Sequence, residues 1–118
     1  MAAYLLELHQ TKDLFFAKVR VSAAADFVAI PTNKIPYTNW ALQMEQVTGA
    51  PTAWNAYLQL SLSGINYNGL IQHINTSHTV GQLVRAKLSA AIYAQLYLSS
   101  ITLGSASALD FYIIGSMD

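Results

Sequence analysis

The chain has 118 residues, 53% of them hydrophobic and only 10% charged, with no cysteine and a formal net charge of zero. That length makes one domain with a real core. The missing cysteines exclude disulfides, thiolate chemistry and cysteine-based zinc sites. Without a basic stripe, the counterion release that drives nucleic-acid binding has no source. No run of about 18 uninterrupted apolar residues reads as a transmembrane helix.

The opening MAAYLLELHQTKD lacks a basic n-region, and Glu7 interrupts its apolar run, so it does not read as a signal peptide. Residues 1–14 read as an N-terminal arm or an extra strand. Tyr4 to Gln10, Phe15 to Val21 and Phe27 to Ile30 are candidate strands. In NWALQME, Trp40, Leu42 and Met44 alternate with Ala41, Gln43 and Glu45. In WNAYLQLSLS, Trp54, Ala56, Leu58, Leu60 and Leu62 share one face, and Asn55, Tyr57, Gln59, Ser61 and Ser63 the other. LIQHI sets Leu70, Gln72 and Ile74 against Ile71 and His73, and Gln82 to Leu88 is a further strand. IYAQLYLS places Ala94, Leu96 and Leu98 opposite Tyr93, Gln95 and Tyr97. ALDFYII places Leu109, Phe111 and Ile113 opposite Asp110, Tyr112 and Ile114.

Period two is the strand signature. Five turn segments separate the runs: IPTNKIPYTN, TGAPTA, SGINYNG, NTSHTVG and TLGSAS. SAAADFVA and LSAAIYAQLYL hold enough alanine for a helical turn or two, but the second lacks caps and strand fits it better. The expected fold is therefore all-β: one antiparallel sandwich or jelly roll of about eight strands spanning residues 1–118.

Charge is unevenly placed. No Asp, Glu, Lys or Arg occurs between Glu45 and Arg85, nor between Lys87 and Asp110. A chain with so little charge is expected to cover much of its surface with partners, because interface cores are depleted in charge. The acids Glu7, Asp13, Asp26, Glu45, Asp110 and Asp118 are scattered, and nothing in the sequence pairs two of them for acid–base work. His73 and His78 flank a turn without the third and fourth ligands of a metal site. No catalytic residue, metal or cofactor is expected, and the chain does not read as an enzyme. Tyrosine suits protein contacts through its apolar ring and polar tip. Tyr37, Tyr57, Tyr93 and Tyr97 are the candidate interface residues, although cross-strand aromatic pairing explains the last three equally well.

Leu60-Ser61-Leu62-Ser63-Gly64-Ile65-Asn66-Tyr67 resembles the L-x-S-x-D-G-x-N-W hairpin of discoidin-like, galactose-binding-like β-sandwiches, a hairpin that small tailed-phage virion proteins also use. TGAPTAW and SITLGSASAL are similar to two further turns of the phage group, in the same order. The resemblance covers roughly residues 20 to 115. Ser63 stands where that family often has Asp, Tyr67 where it has Trp, and Gln95 where its closing strand carries Arg. The resemblance implies a virion protein made in the host cytoplasm. It implies above all a capsid decoration (cement) protein that binds the major capsid protein and associates as a trimer, with neither nucleic acid nor membrane as partner. Two other roles fit the same fold: a structural or adhesin module of a tail, neck or baseplate, and a carbohydrate-binding domain. The last would read its ligand with Asn66, Tyr67 and Asn68.

Overall fold

A computed structural model describes residues 3–22, 27–65, 69–75, 81, 83–86 and 92–117. Among the described residues nine strands follow in order: β1 Ala3–Gln10, β2 Leu14–Val21, β3 Phe27–Ile30, β4 Asn39–Val47, β5 Ala53–Ser61, β6 Gly69–Asn75, β7 Leu83–Ala86, β8 Tyr93–Thr102 and β9 Ala108–Ser116. They form two antiparallel sheets, ordered β1-β2-β9-β4-β7 and β3-β8-β5-β6. The alanine-containing run from Tyr93 to Thr102 is a strand and not a helix. Within the segment expected as an arm or an extra strand, Ala3–Gln10 form β1.

Connectivity identifies the type of sandwich. From β2 onward the strands pair from the chain ends inward: β2 with β9, β3 with β8, β4 with β7 and β5 with β6. This is a long antiparallel ribbon whose bend is the connection between β5 and β6. Rolling the ribbon adds the contacts β4–β9 and β5–β8 and splits it into two facing sheets. The result is a jelly roll, with β1 added at one edge.

The core sits between the sheets, where the period-two pattern predicts it. Phe15, Ala17, Val19 and Val21 of β2 are buried, as are Trp40, Leu42 and Met44 of β4 and Leu109, Phe111 and Ile113 of β9. Trp54, Ala56, Leu58 and Leu60 of β5 face them, with Ala94, Leu96 and Leu98 of β8. Each large apolar side chain taken out of water contributes about 1.5–3 kcal/mol. Leu62 breaks the alternation: it lies beyond the end of β5 and is 71% exposed, because the chain has already entered the turn.

Two turns interlock at one end of the sandwich. Residues 48–52 join β4 to β5, and residues 103–107 join β8 to β9. Ala50 N–H donates to Ser105 Oγ at 3.0 Å, and Ser105 N–H donates back to the Ala50 carbonyl at 3.1 Å. Ser107 N–H donates to the Val47 carbonyl, and Thr52 N–H to the Thr102 carbonyl. TGAPTAW and TLGSAS, two separate motifs in the sequence, thus act as one hydrogen-bonded clasp between the sheets.

Candidate interaction surfaces

Jelly-roll pairing turns the two uncharged stretches of sequence into one surface. Residues 46–84 supply β5 and β6, and residues 88–109 supply β8; with β3, these make up the whole of the second sheet. No Asp, Glu, Lys or Arg lies on any of its four strands. Among the described residues, Glu7, Lys18, Arg20, Glu45, Arg85 and Asp110 are the charged residues that lie on strands, and all belong to the first sheet. The sandwich is therefore two-faced.

On the uncharged side, β5 and β8 run next to each other with Tyr57 opposite Tyr97, Gln59 opposite Gln95 and Ser61 opposite Tyr93. The Tyr57 and Tyr97 rings stack with centroids 5.8 Å apart and planes 20° apart. Gln95 Nε2 donates to Gln59 Oε1 at 2.7 Å. Asn55, Tyr57, Gln59, Tyr93, Gln95 and Tyr97 are all half-buried, so on β5 and β8 the face is a layer of rings and amides. Among the expected interface residues, Tyr57, Tyr93 and Tyr97 thus share one face, and two of them also form the cross-strand pair. Gln95, where the resembled family carries Arg, keeps the centre of the face neutral.

Tyr37 is a correction. It is wholly buried, its hydroxyl donates to the Thr11 carbonyl at 2.6 Å, and Gln10 Nε2 donates to that hydroxyl. Its ring meets Trp40 edge-on at 5.9 Å and lies 5.7 Å from Phe15. Tyr37 pins the β1–β2 turn to the core and has no surface left for a partner.

The β5–β6 turn is built by serines. Ser61 Oγ accepts from the N–H groups of Ser63 and Gly64, and Ser63 Oγ accepts from Ile65 N–H. Gly64 takes φ +75°, and a Cβ added there would come within 3.1 Å of the Tyr93 ring. Side chains in this role mimic backbone turn bonds. The expected loop contacts Asn66, Tyr67 and Asn68 lie outside the described residues, as does His78; His73 falls on β6.

The charged side holds the arrangement that sequence reasoning missed. Arg20 on β2 forks onto Asp110 on β9, Nε to Oδ1 at 2.8 Å and Nη2 to Oδ2 at 2.9 Å, with Lys18 Nζ 3.7 Å from Oδ2. This hydrogen-bonded fork raises the Arg20 guanidinium further above its already high ordinary range. Contrary to the sequence expectation, two acids are brought together: Glu45 on β4 stands opposite Asp110. Both Asp110 oxygens are occupied by Arg20, however, so the carboxylate ties β2 to β9 and is not presented as a base. Leu109, Phe111 and Ile113 marked Asp110 as outward-facing; its partner, 90 residues earlier, had no local signal. Lys18 also lies over the Tyr112 ring at 5.4 Å.

Among the described residues no group of three His, Cys, Asp or Glu side chains is placed to hold a metal, and no helix is long and apolar enough to cross a membrane. The chain matches no protein-family model and no curated protein. Several solved structures are similar to it. YomS, a protein derived from the SPBc2 prophage, is similar over 96% of this chain and 89% of its own at a TM-score of 0.51 and 6% identity. A cupin-family protein of Methanocaldococcus jannaschii with a double-stranded β-helix is similar over 98% and 80% at a TM-score of 0.48 and 11% identity. A CBM32 domain of Clostridium perfringens, in complex with GalNAc-β-1,3-galactose, follows over 92% of each chain at 0.38 and 12%. At 6% identity the likeness to YomS is one of fold alone.

Proposed function

We propose that this chain is a structural accessory protein of a tailed-phage particle, a capsid decoration protein that docks on the major capsid protein through the outer face of its β3-β8-β5-β6 sheet. The observation that carries this reading is the exclusion of charge from all four strands of that sheet. Drying a charge on association is costly unless it is paired, so a face destined for burial stays neutral and favours tyrosine. The charged sheet and the turns then keep the free protein in solution. The motif resemblance supports the phage setting, and so does the fold shared with a prophage-derived protein.

Tyr97→Glu tests the docking face. Tyr97 is half-buried at the centre of that face, so the new carboxylate stays solvated in the free protein. Folding should lose the ring pairing with Tyr57, about 1 kcal/mol. Docking should lose about 2–5 kcal/mol, a fall of roughly 30-fold or more in affinity for particles stripped of this chain. Ile114→Glu, on the outer face of the charged sheet and 40% exposed, should leave docking unchanged. Equal occupancy of both variants on particles would contradict the reading. Saturable binding to a neutral glycan that Tyr97→Glu abolishes would replace the capsid partner with a carbohydrate.

A further inference from the structure

The opposite sheet carries a second surface that docking leaves unused. β1 forms the outer edge of that sheet: β2 lies on one side, and among the described residues no strand lies on the other. Every second residue of an edge strand turns its N–H and C=O outward, a ready template for another strand. Edges are usually blunted by shortness, proline or lysine. Of the other edge strands, β3 and β7 have four residues each and β6 has seven, whereas β1 has eight and contains neither Pro nor Lys.

The strand is also under-covered. One sheet has five strands and the other four. Leu8 pairs with the buried Ala17 and so belongs to the inner, core-side row, yet it remains 37% exposed. Leu6 and Tyr4 on the same strand are 38% and 36% exposed.

Charge selects what fits there. Two copies of one strand pair antiparallel about a two-fold axis, and the residue on the axis fixes the register. An axis at Glu7 sets two carboxylates against each other. An axis at Leu6 sets Leu5 against Glu7. An axis at Leu8 sets Leu8 against itself on the inner face and Glu7 against His9 twice on the outer face. Glu7 and His9 already meet within one chain at 3.2 Å and are largely exposed, so each can turn to the other copy. The bulge between Leu5 and Glu7 ends regular pairing just before this segment. At the far end, Gln10 bonds to Tyr37 and Asn33 hold it in place.

We infer that two copies of this chain associate through β1, antiparallel about a two-fold axis at Leu8, joining their five-stranded sheets into one. This goes beyond the docking reading, uses the other sheet, and replaces threefold by twofold self-association.

Because the chain has no cysteine, a single introduced thiol reports the register. Directly opposed residues in an antiparallel pair lie about 4.5–5.5 Å apart at Cα, within disulfide range. Under copper-phenanthroline oxidation, Leu8→Cys should form a covalent dimer at least tenfold faster than Leu6→Cys, which would face Gln10 of the other copy. Light scattering of the unmodified protein should give twice 12.9 kDa at high concentration. Glu7→Lys should raise the dissociation constant at least tenfold, and adding His9→Glu should restore it. Equal cross-linking at both positions, a monomer at every concentration, or a dilution-resistant trimer would overturn the inference, whatever the outcome at Tyr97.

Discussion

Trp40→Ala is expected to cost about 3–5 kcal/mol, the range for removing a large aromatic from a packed core. Trp40 is 2% exposed and is packed on three sides. Phe15 lies 6.1 Å away, Tyr37 meets it edge-on, and the Gly115 backbone lies so close beneath that an added Cβ would be 3.3 Å from the ring. Its Nε1–H donates to the Tyr37 carbonyl, so the indole also holds the segment that places Tyr37. Domains of this kind have about 5–15 kcal/mol in total, so the loss removes a large part of the margin. Urea unfolding followed by circular dichroism should show the midpoint falling by roughly 2 M at unchanged slope. A fall below about 0.5 M would mean that the indole is not a core element.

Gly49→Ala is expected to cost about 3 kcal/mol through the clasp between the two turns. Gly49 has φ +67°, where a side chain costs about 1 kcal/mol or more. A Cβ there would sit 2.2 Å from the Ser105 carbonyl oxygen, a backbone atom that cannot step aside without breaking the bonds between Ala50 and Ser105. Overpacking of this kind typically adds 1–3 kcal/mol. Thermal unfolding should show a Tm lower by about 10 °C or more. An unchanged Tm would show that the β4–β5 and β8–β9 turns move independently.

Much of the architecture was legible because most strands bury one face. Alternation in Trp54 to Leu60, Ala94 to Leu98 and Leu109 to Ile113 reports a dry side and a wet side residue by residue, and those residues are the core. Leu62 shows the limit: alternation continues in the sequence past the point where the serine turn ends the strand. Tyr37 was misplaced because nothing in IPTNKIPYTN encodes burial. Its pocket is assembled from Gln10, Phe15 and Trp40, which only the fold brings together.

The charge gaps were visible as composition, but their meaning was topological. β5 and β6, from residues 46–84, and β8, from residues 88–109, share one neutral face only because ribbon pairing sets β8 beside β3 and β5. The same long-range pairing joins Arg20 to Asp110 and Gly49 to Ser105. Short-range periodicity yields strands and faces; which faces merge into a surface is fixed by register between distant strands.

The docking claim is tested most directly by cryo-electron microscopy of phage particles that carry this chain. The account predicts the jelly roll on the outside of the capsid in hundreds of copies, with the Tyr57–Tyr97 stack and the Gln59–Gln95 pair against the major capsid protein and the outer face of the charged sheet, with Arg20 and Ile114, turned to solvent. Density confined to the tail or neck, or a capsid contact made through the charged sheet, would contradict it.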